Sequence, residues 1–337
     1  MRNDYMKHFN LQLFAELNTN VTGDSGLSVE NKTFYDRALL EEAKPNLVHD
    51  QFGQKRPIPK NGGKKIEFRR YAALPKAMTP LTEGVTPDGK KLAVSKIEAT
   101  VSQYGDYVCL SDVLDLTAID NNVLEATKAI GNQAGLTLDT ITRNVLQSGT
   151  NVYYCPKSSG AQPSDRANLD ATCKLTVDVV KRVVTMLKRK NVPKFNGDYV
   201  AIIHPDVGYD LMSDPKWEEM NKYTDPAHQY DGEIGRVAGV RFVETSEAAI
   251  YTGDGCPSGL AVYGSLFMGA NAYGITDIAG GGLQTIIKQL GSAGTADPLN
   301  QRSTVGWKAM KTAEILTEAY LVRVESCGAF SATAQKN

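Results

Sequence analysis

Residues 121–149, NNVLEATKAIGNQAGLTLDTITRNVLQSG, read as one long, two-sided helix. Val123, Thr127, Ile130, Ala134, Leu138, Ile141 and Val145 recur at steps of three and four, which lines them up as a single apolar stripe. Glu125, Lys128, Asn132, Asp139, Arg143 and Gln147 fall on the other side, expected to face solvent. Asn121 or Asn122 can cap the start, and Gly149 stands where a left-handed stop belongs. At about 1.5 Å per residue the helix is ~39 Å long, about the diameter of a small domain. It is expected to cross a flat molecule as a spine. Gly131 and Gly135 have two readings: they let a second element approach closely, or they are tolerated helix glycines costing up to ~1 kcal/mol each.

Upstream, residues 64–74 alternate around Ile66 and Phe68, and residues 92–108 alternate again around Ile97, Ala99 and Val101, so two strands are expected. The alternation slips between Val94 and Ile97, which predicts a bulge or a change of twist in the return strand. Between the strands, residues 75–91 hold three prolines, two glycines and a Pro87-Asp88-Gly89 turn, yet carry Met78, Leu81 and Val85. A structureless loop of this length is uncommon inside a compact domain. It fits a hairpin that projects and lays its tip on something else, and equally a lid or an ordinary surface hairpin.

Residues 1–63 open with a short apolar group and a Thr/Asn/Gly/Ser stretch, read as an arm, followed by a helix over 31–43 that Pro45 ends. Asp112, Asp115 and Asp120 precede the spine, where capping and dipole support explain them better than a metal. Downstream, Val177, Val180, Val184 and Leu187 mark a second amphipathic helix over 177–190. Residues 198–203, DYVAII, form a short buried strand that His204-Pro205-Asp206 turns into a helix over 207–212. Residues 235–245 alternate as a hairpin or edge strand, and 313–324 read as one terminal strand.

Composition bounds the function. With 337 residues, 42% apolar and 22% charged, the chain is ordinary globular material. Apolar runs such as 199–203 are far shorter than the ~20 residues of a membrane span. Residues 1–20 lack the features of a signal peptide, so a cytoplasmic origin is expected. Cys109, Cys155, Cys173, Cys256 and Cys327 are odd in number and never spaced C-x-x-C, which predicts free thiols. His204 and Asp206 lack a nucleophile at elbow spacing, the histidines form no H-x-x-x-H, and Gly280-Gly281-Gly282 is not a dinucleotide loop. No catalytic, cofactor-binding or metal residue is therefore assigned, and no cofactor is expected.

A net charge of −1 argues against a protein whose main task is neutralising phosphates. The charges are nonetheless segregated. Residues 54–76 hold eight lysines and arginines against Glu67 alone, while 206–233 hold eight acids against Lys216 and Lys222. Such a chain can attract copies of itself head to tail, or it has two unrelated solvated faces.

The order of parts, with the segments TFYDRALLEEAKPNLVHDQFGQK (33–55), KNGGKKIEFRRYAALPKAMTPLTEGVTPDGKKL (60–92), YVAIIHPDVGYDLMSDPKW (199–217), GRVAGVRFVET (235–245) and DPLNQRSTVGWKAM (297–310), resembles the major capsid proteins of tailed double-stranded-DNA bacteriophages, whose fold is named after a Hong Kong phage. NLQLFAE at 10–16 is similar to the openings of many phage structural proteins. The resemblance implies an α+β capsid fold. Its parts would be an N-terminal arm at 1–63, an extended β-hairpin loop at 64–110, and a peripheral domain with the spine helix at 111–172. A mixed α/β axial domain would follow at 173–290, and 291–337 would return to the peripheral domain.

In function it implies a non-enzymatic subunit that assembles as pentamers and hexamers into an icosahedral head. The partners implied are copies of itself, a portal, and packaged double-stranded DNA contacted non-specifically, with no membrane; whether a scaffold or decoration protein is needed is left open. Its place is the virion, assembled in the bacterial host cytoplasm. A cellular nanocompartment shell shares the fold and is the alternative. Inter-subunit contacts are expected from Met78, Leu81 and Val85 at the hairpin tip, and from Arg69, Arg70 and Lys76 at its base. Asp214, Glu218 and Glu219 are their expected acidic partners.

Overall fold

The computed structural model describes residues 39, 42–43, 47–71, 74–86, 88–117, 122–221, 233–253, 255–276, 281–292, 297–331, 333, 335 and 337. Of the arm expected over 1–63, residues 1–38 lie outside them, as does most of the helix expected over 31–43, whereas 39, 42 and 43 are helical and 47–63 are described. In chain order the first elements are β1 (Gln54–Lys55), β2 (Lys65–Tyr71), β3 (Val94–Thr100), β4 (Ser102–Ser111), α1 (Asp112–Thr117) and the spine α2 (Asn122–Gln147). Next come β5 (Val152–Tyr154), α3 (Val177–Arg189), β6 (Tyr199–Ile203), α4 (Pro205–Met212) and α5 (Pro215–Asn221). The last third is β-rich: β7 (Glu233–Val237), β8 (Val240–Glu244), β9 (Ala249–Tyr251), β10 (Val262–Met268), β11 (Tyr273–Thr276), β12 (Gln284–Lys288), β13 (Arg302–Ile315) and β14 (Leu321–Cys327).

Three sheets result. β13 is the hinge of the first: its early half lies between β4 and β12, and its last residues pair with β11, which also holds the short parallel β1. One face of β13 carries Val305, Trp307 and Ala309, which pack against Ile130, Ala134 and Leu138 of the spine. Alternation along the strand meeting the helical stripe explains why spine and sheet form one layer pair. The second sheet runs β5-β14-β10-β6-β8-β7, with β9 also on β10. All residues of β6 and β10 are buried, as expected of strands covered on both faces. Val177, Val180, Val184 and Leu187 join the apolar cluster of this sheet, as the helical spacing predicts. The third sheet is the two-stranded ribbon β2–β3.

Four details differ from the expectations. Asp139, Arg143 and Gln147 of the spine are buried, not solvated, because the second sheet and residues 47–50 close over the helix's last turns. Gly149 is not left-handed; Leu146, Ile315 and Glu318 crowd it, and the Glu318 carboxylate accepts the Thr150 N–H at 3.1 Å. The ribbon has an unbroken register from Lys65↔Thr100 to Tyr71↔Val94, so no bulge is present. The irregularity falls instead at Val101, buried between β3 and β4, where the chain leaves the ribbon for the first sheet. Finally, the strand expected over 313–324 is the end of β13 and the start of β14, split by a 3-10 turn at Glu318–Tyr320, so 291–337 contributes to both large sheets.

Of the two readings of Gly131, close approach is the one observed. A Cβ there would stand 2.9 Å from the carbonyl oxygen of Leu39.

Candidate assembly surface

The ribbon is nearly all surface. Phe68 and Ala99 are its buried side chains, and Phe68 rests on Gly274, where a Cβ would come within 2.8 Å of the ring. The rest is held by backbone pairing and by exposed ion pairs, such as Lys96–Glu67 at 3.4 Å and Lys65–Glu98 at 3.8 Å, each of which contributes little in water. Beyond it every described residue of 74–92 is exposed, including Met78 at 81%, Leu81 at 76% and Val85 at 63%. A Val85 N–H to Thr82 carbonyl bond of 3.2 Å is the backbone turn there. Pro75 and Pro80 deny the loop N–H donors, while Gly84 at φ 76° turns it, so the tip has no ladder to join. Soluble monomers rarely keep so many large apolar side chains on one projection.

Arg69 and Arg70, opposite Lys96 and Ser95 toward the tip end of the ribbon, line a cavity of about 200 Å³ with Arg56, Phe68, Asn271 and Tyr320. Lys76 lies beyond, exposed on the tip. Of the three basic residues expected to orient a contact, the cavity brings Arg69 and Arg70 together with Arg56, and Lys76 is not among its lining.

A second concavity crosses the outward face of the first sheet. It holds about 480 Å³ and is lined by Tyr107, Ile286 and Thr304 over a floor of Gly105 and Gly306. A Cβ at Gly306 would meet that of Tyr107 at 2.9 Å, so the glycine makes room for the tyrosine, which is 69% exposed.

The acidic residues separate. Asp214 is occupied within the chain: its carboxylate accepts the N–H of Val177 at 3.0 Å and of Lys216 at 3.0 Å, securing the starts of α3 and α5. Glu219 is exposed, and the Glu218 side chain lies outside what the structure describes. Nearby acids are also engaged. Asp206 accepts the Tyr263 hydroxyl at 2.5 Å, and Asp210, its pKa raised by burial, accepts the Ala329 N–H at 3.0 Å.

His204 is a cap rather than a base: its ring accepts the Asp206 N–H at 3.2 Å, and burial lowers its pKa. Cys155, Cys173 and Cys327 are buried near one another, and burial pushes the Cys327 thiol up to about 12 and Cys155 well above its ordinary value. Among the described residues no group of three or more His, Cys, Asp or Glu could hold a metal, and no helix is long and apolar enough to cross a membrane.

A projecting ribbon, a spine helix against a hinge strand and a second sheet covered on both faces define the subunit fold of tailed-phage heads. The cyanophage Pam1 capsid asymmetric unit is similar at a TM-score of 0.65 and 14% identity, over 86% of this chain and 93% of that one. The capsid of Ralstonia phage GP4 is similar at 0.63 and 15%, over 83% and 88%. A virus-like particle from Pyrococcus furiosus is similar at 0.50 and 10%, over 88% and 99%. At such identities these likenesses concern the fold. No curated protein matches the chain significantly.

A family model described as phage capsid protein matches residues 94–322, well over half of the chain, and the chain belongs to that family. It is a structural major capsid protein of the virion. The nanocompartment alternative is not favoured, since the matching family is that of phage capsids.

Proposed function

We propose that this subunit assembles as pentamers and hexamers into a closed icosahedral head around double-stranded DNA, with the ribbon tip seated on the adjacent subunit. In this reading 1–63 is the arm, 64–110 the extended loop, 111–172 with 291–337 the peripheral part and 173–290 the axial part. The observation that carries it is the exposure of Met78, Leu81 and Val85 at the end of a ribbon with hardly any core of its own. The outward groove between Tyr107 and Ile286 supports a receiving site of matching apolar character. Arg69, Arg70 and Lys76 orient the contact toward acids of the neighbour among Asp214, Glu218 and Glu219, of which the exposed Glu219 is better placed than the occupied Asp214. A portal is the further partner, with a scaffold or a decoration protein as an optional one, and assembly takes place in the host cytoplasm.

Cryo-electron microscopy of purified particles tests the proposal. Closed shells of pentamers and hexamers with nuclease-protected DNA, each tip lying on a neighbour, are the expected result. Shells enclosing protein cargo, or tips folded back on their own subunit, overturn it.

A further inference from the structure

Lys311 and Asp50 stand against each other where the end of the arm, the spine and the hinge strand meet. The Lys311 Nζ contacts Asp50 Oδ2 and donates to the Leu138 carbonyl at 2.8 Å. The other carboxylate oxygen, Oδ1, accepts the Thr142 hydroxyl at 2.6 Å. Their side chains are 6% and 17% exposed. Beside them the fully buried Asp139 accepts the His49 backbone N–H at 2.7 Å and pairs with its ring Nδ1 at 2.6 Å.

The hydrogen-bond inventory distinguishes two states of this pair. An ammonium brings three N–H donors, and here it meets two acceptors, Asp50 and Leu138. An amide between Nζ and Asp50 Cγ has one N–H and one carbonyl oxygen, and both partners are already in place. Leu138 would take the N–H, and Thr142 would donate to the oxygen. A buried site also favours neutral groups over separated charges.

We propose that Lys311 and Asp50 join in an intrachain isopeptide bond. The proton of the ion pair first passes from the Lys311 ammonium to the Asp50 carboxylate, giving amine and carboxylic acid. The amine lone pair attacks Cγ, the carbonyl π pair moves to Oδ1, and the Thr142 hydroxyl steadies the charge that develops there. An N–H proton then moves to Oδ2, the Cγ–Oδ2 bond breaks with its electron pair, the carbonyl re-forms, and Oδ2 leaves as water. Amine and acid give amide and one water, so no oxidant or cofactor is needed. Burial lowers the Lys311 pKa, toward the nucleophilic amine, against the opposing influence of Asp50 and Asp139. The bond would close a covalent loop between positions 261 apart, tying the base of the arm to β13 across the spine.

Intact-mass measurement of the full chain, denatured and reduced, tests this without a variant. The expected species is one water lighter than the sequence mass, and a digest contains a branched peptide joining Asp50 to Lys311. Asp50→Asn releases ammonia instead and reaches the same product mass, while Asp50→Ala and Lys311→Arg keep their full masses and run as longer, unlooped chains in denaturing gels. Wild-type chain at its full sequence mass overturns the proposal. So does a water loss that maps to other residues.

Discussion

Replacing residues 72–93 by Asn-Gly, a two-residue turn across the Tyr71↔Val94 pair, separates assembly from folding. Every described residue of the removed segment is exposed, so the loss of these side chains changes subunit stability by no more than about 0.5 kcal/mol. Loop closure favours the shortened chain, since each halving of loop length removes about 0.6 kcal/mol of entropic cost and the cut from 72–93 to two residues is between three and four halvings, roughly 2 kcal/mol in all. The interface is affected far more. Burial of Met78, Leu81 and Val85 against a neighbour contributes on the order of 1 to 2 kcal/mol each at about 25 cal/mol per Å², before ordering costs. Their joint loss weakens each contact by roughly 3 to 6 kcal/mol, or about a hundred- to ten-thousand-fold at ~1.4 kcal/mol per factor of ten. The expected outcome is a soluble subunit with unchanged circular dichroism and a melting temperature no lower than that of the full chain, sedimenting as small species, with no shells in electron micrographs. The triple variant Met78→Ser, Leu81→Ser, Val85→Ser should do the same with the loop length kept. Regular shells from either protein refute the reasoning, and so does a shortened chain that fails to fold.

Gly131→Leu forces a side chain against the Leu39 carbonyl and should lower stability by about 1 to 3 kcal/mol, read as a drop in melting temperature; an unchanged melt would mean the neighbouring helix is free to withdraw. Arg166→Met removes one of two arginines from the fully buried Glu325, which it holds at 2.6 and 2.7 Å, and should cost about 3 kcal/mol in urea unfolding; a negligible cost would show that Arg323, at 2.9 Å, suffices alone. Denatured particles should run as monomers in non-reducing gels, because burial keeps Cys155, Cys173 and Cys327 as unreactive thiols, and a thiol-sensitive ladder would contradict this. With a net charge of −1 the isolated subunit should bind duplex DNA weakly and lose it as salt rises, whereas tight, sequence-selective binding at physiological salt would disprove non-specific contact.

The spine was legible because it is a local pattern: a stripe at steps of three and four predicts an element that ends within two residues of the observed bounds. Its polar residues were misread for the same reason. Asp139 is buried by His49, 90 positions away, Arg143 by the Glu247 carbonyl, 104 away, and Gln147 by the Gly264 carbonyl, 117 away. A helical wheel places charge opposite the apolar stripe and calls that face wet. Only the topology shows that a second sheet closes over it. The tip was legible because proline, glycine and unpaired apolar residues conflict within a few positions. The groove on the first sheet was not, since Tyr107 meets Gly306 and Ile286 only through strand pairing across the chain. Asp214 looked like part of an acidic face because composition cannot tell a cap from a free carboxylate.

The buried polar residues of the spine and the exposed apolar residues of the ribbon invert the usual rule in opposite directions, and the two inversions belong together. Inside, paired and hydrogen-bonded groups such as His49–Asp139 and Arg166–Glu325 are costly to break, so they fix how residues 47–50, the spine and the second sheet meet. Outside, the ribbon has Phe68 and Ala99 as its anchors, so its tip has little reason to hold one conformation in the free subunit. A shell subunit needs both properties. If the body deformed as easily as the ribbon, neighbouring contacts could not repeat at fixed angles around a closed surface. If the tip packed on its own subunit, the apolar area that drives association would already be spent. Rigidity where polar groups are buried and exposure where apolar groups project are thus two conditions of one task, and the loop-shortened chain isolates the second while leaving the first untouched.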